Sequence, residues 1–259
     1  MNLSFHDKTV FITGATSGIG KASAVMFAKA GARLVLCARR IELLTEVSKD
    51  LSEQFGTEVF SFQCDVTKVD DVENGINLIP KTFQDIDVLI NNAGLAAGRD
   101  TFQNSKLSDM EAMIDTNLKG VLYVTHKILP MMVKRNSGQI IFLGSLAGRE
   151  PYANGTVYCA TKFGIRAINA ALKMDLLGTE IKVSTVDPGM VETEFSIVRF
   201  KGDTNKANEM YKGMTPLTAE DVADAIFYCA TRPPHVNISE ILLMPTAQSS
   251  TLQVSRKVE

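Results

Sequence analysis

The sequence predicts an α/β fold in which helices cover a parallel sheet and the whole chain forms a single domain. Short apolar runs rich in β-branched residues alternate with longer segments of helical periodicity, which is the pattern of repeated strand–helix–strand units. The first run, 9–13, passes directly into a glycine-rich turn and a helix, as in folds that bind nucleotides. The 259 residues contain no repeat, no low-complexity linker and no shift of composition that would mark a second domain.

The elements can be assigned in chain order. Strands are predicted at 9–13, 34–37, 59–63, 88–90, 139–143, 183–186 and 241–244. Helices are predicted at 21–29, 42–54, 69–83, 109–135, 158–177 and 218–230. The segment 190–214 has a broken pattern and follows a strand at the ligand-binding edge, so we expect a substrate lid there. The last residues, 245–259, are predicted to be a polar tail.

The turn after the first strand is predicted to bind a dinucleotide. Glycines let the backbone turn tightly and approach a pyrophosphate, which then lies against the positive end of the following helix. The residues expected to contact the cofactor in this turn are Gly14, Thr16, Ser17, Gly18, Ile19 and Gly20. A glycine turn alone is a weak signal, and its position between a strand and a helix is what favours the nucleotide site.

The end of the second strand favours NADP as the cofactor. An acidic residue at this point would bind the ribose 2′-hydroxyl of NAD, but Arg39 and Arg40 stand there instead. A guanidinium can bind a phosphate dianion bidentately, whereas a carboxylate would repel it. One of the two arginines could merely be a solvated residue at the start of the next helix.

Other candidate cofactor contacts follow later strands of the predicted sheet, where parallel sheets bind their ligands. They are Asp65 and Val66 beside the adenine, Asn92, Ala93 and Gly94 after the fourth strand, and Pro188 and Gly189 after the sixth. Ser145 follows the fifth strand in the same way. We expect these residues to line one edge of the sheet.

Tyr158 and Lys162 are four residues apart on a predicted helix, so both lie on one face. An ammonium beside a phenol favours the phenolate and lowers the tyrosine pKa, which would make Tyr158 a proton acceptor. Taken alone, this spacing occurs by chance on many helices, and Asn117 alone would be an ordinary solvated residue.

The motifs together resemble the short-chain dehydrogenase/reductase family over nearly the whole chain. They are Thr13-Gly14-x-x-x-Gly18-Ile19-Gly20, Asn91-Asn92-Ala93-Gly94, Asn117, Ser145, Tyr158-x-x-x-Lys162 and Pro188-Gly189. The resemblance implies a Rossmann-like three-layer sandwich with a seven-stranded parallel sheet in the order 3-2-1-4-5-6-7, and a homotetramer.

A narrower resemblance points to the NADP-dependent serine and 3-hydroxy acid dehydrogenase branch of that family. The segments that carry it are 92–98, 115–117, 191–203 and 215–223, which include the lid. It implies a small hydroxy acid substrate, such as L-serine, L-allo-threonine or a 3-hydroxybutyrate-type acid, that is oxidised at its 3-hydroxyl.

The resemblance also implies a role for each residue of the site. Tyr158 exchanges the proton, Lys162 lowers the pKa of Tyr158 and binds the cofactor ribose, Ser145 positions the reacting oxygen, and the Asn117 carbonyl holds a relay water. Val191 and Thr193 would bond the nicotinamide carboxamide. Partners for the substrate carboxylate are Arg149, Arg199 or Lys201, or otherwise backbone amides after Gly144.

Two other functions remain open. One is a reductase for a ketoacyl thioester, a sugar or a nonpolar ketone; the other is a non-catalytic NADP sensor, which the complete set of four catalytic residues disfavours. The net charge of −2 argues against a nucleic-acid or membrane-surface partner, and no targeting or membrane-spanning segment is recognised, so a cytoplasmic location is expected. The dispersed cysteines and histidines predict free thiols and no metal site.

Overall fold

The computed structural model describes residues 4–257, which build one seven-stranded sheet with helices on both faces. The strands are β1 (Thr9–Thr13), β2 (Arg33–Ala38), β3 (Val59–Gln63), β4 (Ile86–Asn91), β5 (Gly138–Leu143), β6 (Ile181–Pro188) and β7 (Glu240–Leu243). All neighbouring strands are parallel, and their order is β3-β2-β1-β4-β5-β6-β7. The predicted fold class and strand order are confirmed.

The helices divide between the two faces of the sheet. They are α1 (Gly18–Lys29), α2 (Ile41–Phe55), α3 (Val69–Asn77), α4 (Leu107–Ile114), α5 (Val121–Arg135), α6 (Thr156–Asp175), α7 (Glu194–Arg199), α8 (Thr204–Glu209) and α9 (Ala219–Ala230). Side chains alternate along β1, so that Ile12 packs with Phe27 of α1 on one face and Phe11 packs with Ile128 of α5 on the other. Burying a side chain of this size stabilises the fold by roughly 1.5–3 kcal/mol, which fixes the position of β1 and of the turn that follows it.

Three predicted segments differ from the structure, the first two at 69–83 and 190–214. The helix expected over 69–83 ends at Asn77, and a short 3₁₀ turn, Lys81–Phe83, follows Pro80. Proline has no amide hydrogen and its ring clashes with the preceding turn, which favours the end of the helix before Pro80. The segment 190–214, which we call the lid after its predicted role, contains α7 and α8, whose first turns are capped by the side chains of Thr193 and Asp203. Such short helices are held by their caps and contacts, and leave little periodicity in the sequence.

The long helix predicted over 109–135 is interrupted in its first half. A π-helical turn, Asp115–Gly120, joins α4 to α5. Gly120 closes this turn against the loop after β3, because a Cβ there would lie 2.7 Å from Cγ2 of Val66. Such turns are frequent at functional sites, and this one contains Asn117.

Two further features concern the class of protein. Cys37, Cys64, Cys159 and Cys229 are all buried free thiols, as predicted. Among the helices of residues 4–257, none combines the length and the apolar character that crossing a bilayer requires.

Candidate active site

A cavity of about 420 Å³ lies along the carboxyl ends of the strands. Nearly all the sequence-predicted site residues line it: Gly14, Thr16, Ser17, Gly18, Ile19, Arg39, Arg40, Asp65, Val66, Asn92, Ala93, Gly94, Ser145, Tyr158, Lys162, Pro188, Gly189, Val191 and Thr193. Gly20 and Asn117 lie behind this wall. The fold therefore brings residues from opposite ends of the sequence into a single site.

The glycine turn is shaped by close backbone contacts. Gly14 has a φ of 69°, in the left-handed region that favours glycine, and a Cβ on Gly20 would lie 2.4 Å from the Gly14 carbonyl oxygen. Asn92 donates from Nδ2 to the carbonyl oxygens of Thr13 at 2.9 Å and Gly14 at 3.1 Å, so the amide after β4 braces the turn. Ser17 precedes α1 without capping it through its side chain. The first amides of α1 therefore keep their capacity to bind an anion.

Arg40 connects the glycine turn to the lid. Its Nη2 atom donates to Oγ1 of Thr16 at 2.9 Å, to Oγ of Ser17 at 3.0 Å and to Oε2 of Glu194 at 3.2 Å. Arg39 is exposed beside it, at the rim of the same cavity. Two guanidinium groups thus stand where the sequence analysis expects the ribose 2′-phosphate.

Asn117 is buried, which contradicts the reading of this residue as a solvated side chain. It is only 1% exposed, its Oδ1 accepts from the amide of Leu95 at 2.9 Å, and its Nδ2 donates to the Leu95 carbonyl at 2.8 Å. Nδ2 also donates to Oγ1 of Thr161 at 3.1 Å, and Thr161 lies between Tyr158 and Lys162 on α6. Asn117 therefore fixes the loop after β4 relative to α6.

Ser145 begins a short 3₁₀ turn, Leu146–Gly148, at the end of β5. Its Oγ accepts a hydrogen bond from the amide of Ala147 at 3.1 Å. Because that bond uses a lone pair and leaves the hydroxyl proton free, Ser145 can donate a hydrogen bond into the cavity.

The electrostatics of Tyr158 differ from the expectation. Burial raises the pKa of Tyr158 to about 12, while the positive charge of Arg199 and the Ser145 hydroxyl act in the opposite direction. The pKa of Tyr158 is thus not lowered as expected, although the Lys162 ammonium lies 5.9 Å from the ring centroid; this ammonium donates to the Leu143 carbonyl at 2.8 Å. Burial lowers the pKa of Lys162 to about 8, against an opposing effect of Asp187. Desolvation therefore has a larger effect on the pKa of Tyr158 than the ammonium one helical turn away, whose effect was predicted from the spacing.

Of the three cations considered for a substrate carboxylate, only Arg199 faces Tyr158. Its guanidinium lies 5.1 Å from the ring centroid of Tyr158 and donates to the hydroxyl of Tyr152 at 3.1 Å. Arg149 is committed to the buried Asp187, to which its Nε donates at 2.8 Å. Lys201, whose side chain is half exposed, forms an ion pair with Asp109 at 2.7 Å. Arg149 and Lys201 are therefore poorly placed as carboxylate partners.

Two elements of the site were not foreseen from the sequence. Tyr152 lies in a loop, six residues before Tyr158, and helical spacing could not connect them. The tail expected over 245–259 is ordered where the structure describes it, while 258–259 lie outside the described residues. Oε1 of Gln248 accepts from the amide of Met190 at 2.9 Å, and the amide of Lys257 donates to the Gly213 carbonyl at 2.8 Å. These contacts hold both ends of the lid.

Comparison with known proteins identifies relatives that match nearly the whole chain. The NADP-dependent 3-hydroxy acid dehydrogenase of Schizosaccharomyces pombe is 43% identical over 251 residues, covering 96% of this chain and 97% of that protein. Serine 3-dehydrogenase of Agrobacterium fabrum is 40% identical, covering 93% of this chain and 95% of that protein. Sulfoacetaldehyde reductase 2 of Chromohalobacter salexigens is 44% identical with the same two coverages.

A solved structure described as the closed form of serine dehydrogenase complexed with NADP+ superposes with a TM-score of 0.90 at 42% identity, covering 96% of this chain and all of the other. The short chain dehydrogenase family model matches residues 8–203. This match covers the cavity residues from the glycine turn to the first part of the lid, and the chain belongs to the short-chain dehydrogenase family.

Proposed function

We propose that this enzyme transfers a hydride between NADP(H) and the 3-hydroxyl carbon of small 3-hydroxy acids, with L-serine and L-allo-threonine among its substrates. The observation that carries the proposal is the position of Arg199, a lid cation held against the ring of Tyr158 and bonded to Tyr152. An anionic group bound by Arg199 would place a nearby hydroxyl at Tyr158. The names of the relatives from Schizosaccharomyces pombe and Agrobacterium fabrum agree with this substrate class.

The cavity fits the cofactor. The tight glycine turn and the uncapped start of α1 suit a pyrophosphate, and Arg39 and Arg40 would hold the 2′-phosphate of NADP. Six further predicted contacts line the cavity: Asp65 and Val66 would border the adenine, and Pro188, Gly189, Val191 and Thr193 would border the nicotinamide. Bound NADP+ supplies the hydride acceptor, and NADPH supplies the donor in the reverse reaction.

The side chains of the site would handle the proton. In oxidation, the Tyr158 oxygen accepts the proton of the substrate hydroxyl as the hydride leaves the same carbon; in reduction, Tyr158 returns that proton to the carbonyl oxygen. Ser145 donates a hydrogen bond to the reacting oxygen and fixes its position. Lys162 would return the proton to Tyr158, and the backbone carbonyl of Asn117, in the π turn, would hold the water that relays it. Since the pKa of Tyr158 is about 12, this group is protonated at neutral pH, which favours reduction there and oxidation at higher pH.

A sulfonate aldehyde is a second candidate substrate. Arg199 and Tyr152 offer hydrogen-bond donors to an anion, and nothing in that pair selects a carboxylate over a sulfonate. The relative named sulfoacetaldehyde reductase 2 is as similar to this chain as the hydroxy acid dehydrogenases are.

A substrate panel followed by nicotinamide absorbance tests the proposal. NADP should support oxidation of L-serine, L-allo-threonine and 3-hydroxybutyrate far better than NAD does. Faster NADPH-dependent reduction of sulfoacetaldehyde would favour the sulfonate, and turnover only with neutral ketones would contradict an anionic substrate. Tight NADPH binding without turnover of any of these compounds would favour a sensor.

We also propose that the enzyme is a cytoplasmic homotetramer. Four free thiols suit a reducing compartment. Several large apolar side chains are exposed on or just beyond α5 and α6, a face suited to a second copy of this chain: Leu122, Val133, Phe163, Met174 and Leu177. Light scattering coupled to size-exclusion chromatography measures the mass, and a monomer would contradict this assembly.

A further inference from the structure

Arg40 and the hydroxyl groups beside it form a site for an anion, and in this structure the carboxylate of Glu194 occupies that site. The Nη2 atom of Arg40 donates at once to the hydroxyls of Thr16 and Ser17 and to the carboxylate of Glu194. Thr16 and Ser17 belong to the glycine turn, whereas Glu194 is the first residue of α7, more than 150 positions later. The carboxylate of Glu194, in the lid, is therefore bonded to Arg40, the arginine that the sequence predicts to bind the cofactor phosphate.

We propose that Glu194 competes with the 2′-phosphate of NADP for Arg40 and thereby sets the affinity of the enzyme for NADP relative to NAD. The inference rests on the role proposed above for Arg40. NADP binding then exchanges one anionic partner of Arg40 for another, and it separates the lid from the glycine turn at this point. NAD has no phosphate there and leaves the Arg40–Glu194 pair intact.

The exposure of the pair makes the exchange feasible. The side chains of Arg40 and Glu194 are 48% and 53% exposed, so the ion pair is screened by water and contributes little by itself. A 2′-phosphate carries more negative charge and more acceptor oxygens than a carboxylate, so it is the stronger partner of a guanidinium. Glu194 can therefore be displaced, but its charge stays close enough to weaken phosphate binding.

The position of Glu194 also ties the start of α7 to the glycine turn. Its neighbour Thr193 packs over the glycine turn, since a Cβ on Gly18 would lie 3.4 Å from the Cβ of Thr193. Glu194, the next residue, reaches Arg40 beside the same turn, and both Thr193 and Glu194 line the cavity. The start of α7 thus lies over the glycine turn, and the Arg40–Glu194 pair fastens it there.

Binding of reduced cofactors tests the inference without turnover, through the fluorescence of the nicotinamide. Glu194→Gln removes the charge and keeps the shape, and Glu192→Gln is the matched control, an exposed acid in the same segment. We expect Glu194→Gln to lower the Kd for NADPH by about threefold to tenfold, the scale of one nearby exposed charge, and to leave the Kd for NADH unchanged. The control should change neither value.

A third arm separates this inference from the role of Arg40. Arg40→Gln should weaken NADPH binding but not NADH binding, and in that background Glu194→Gln should lose most of its effect. If Arg40→Gln leaves NADPH binding unchanged, the proposed role of Arg40 fails. If Arg40→Gln weakens binding but Glu194→Gln fails to tighten it, or tightens NADPH and NADH equally, the competition is refuted.

Discussion

Lys162→Met should change how the stability of the protein depends on pH. The wild-type ammonium is buried, and its pKa is lowered from the usual 10.5 to about 8. Between these values the unfolded chain still holds the proton that the folded chain has released, so the free energy of unfolding rises with pH. The penalty for burying the charged ammonium is thus complete below about pH 8 and absent above about pH 10.5. Methionine has a similar length and no such penalty.

The size of the effect follows from the two pKa values. Each pH unit between them corresponds to about 1.4 kcal/mol, so the stability of wild type relative to Lys162→Met should rise by about 3 kcal/mol across this range. Losing the hydrogen bond from Lys162 to the Leu143 carbonyl adds an offset to the variant but does not change the slope.

Urea denaturation followed by circular dichroism at several pH values between about 7 and 11 measures this difference. Lys49→Met is the control, because Lys49 is an exposed lysine of α2, with 70% of its side chain accessible, and it reports what the loss of an ordinary lysine does. A constant stability difference between wild type and Lys162→Met over the whole range would refute the reasoning. It would mean that Lys162 carries its charge in the folded protein as easily as in the unfolded chain.

Three further predictions concern the site. Arg199→Met should raise KM for anionic substrates by roughly tenfold to a hundredfold, since a charged hydrogen bond contributes about 1.5–3 kcal/mol, and should leave KM for neutral ketones unchanged. An equal rise of KM for anionic and neutral substrates in steady-state kinetics would contradict the role of Arg199. Tyr158→Phe should abolish turnover in the absorbance assay while NADPH fluorescence still reports binding, and near wild-type turnover would remove Tyr158 from the mechanism. Gly144→Ala should lower the free energy of unfolding by roughly 1–3 kcal/mol in thermal denaturation, because the alanine Cβ would clash with Oδ1 of Asp187. An unchanged Tm would contradict this and show that the loop shifts to make room for the methyl group.

The parts of the structure that local patterns determine could be predicted from the sequence. Strand β1 was placed correctly, and the glycine turn after it was recognised, because a run buried on both faces and a glycine turn are visible in neighbouring residues. The first helix begins at Gly18, however, inside the stretch expected to be turn. The strand order followed from the family resemblance and not from the periodicity. The carboxyl end of α3 and the two helices of the lid were missed, since Pro80 and the caps Thr193 and Asp203 act on single turns.

What the sequence could not provide are effects of distance and burial. The spacing of Tyr158 and Lys162 is correct, yet burial raises the pKa of Tyr158, which the spacing suggested would be lowered, and burial also lowers the pKa of Lys162, for which the spacing gave no expectation. Likewise, nothing near Gln248 in the sequence shows that its side chain bonds the amide of Met190. Long-range contacts of this kind follow from the assembled fold and not from local pattern.

The π turn Asp115–Gly120 has a consequence for how this protein tolerates insertions and deletions. An additional residue in one turn rotates everything beyond it by about 100° around the helix axis. Helix α4 can therefore face α6, while α5 faces β4, within one unbroken rod. Deleting a single residue between 115 and 120 would restore regular helical geometry, but it would turn either the face of α4 that contacts α6 or the face of α5 that contacts β4 toward water. Regularising this helix is therefore a change that protein engineering should avoid, although it would improve the local hydrogen bonding.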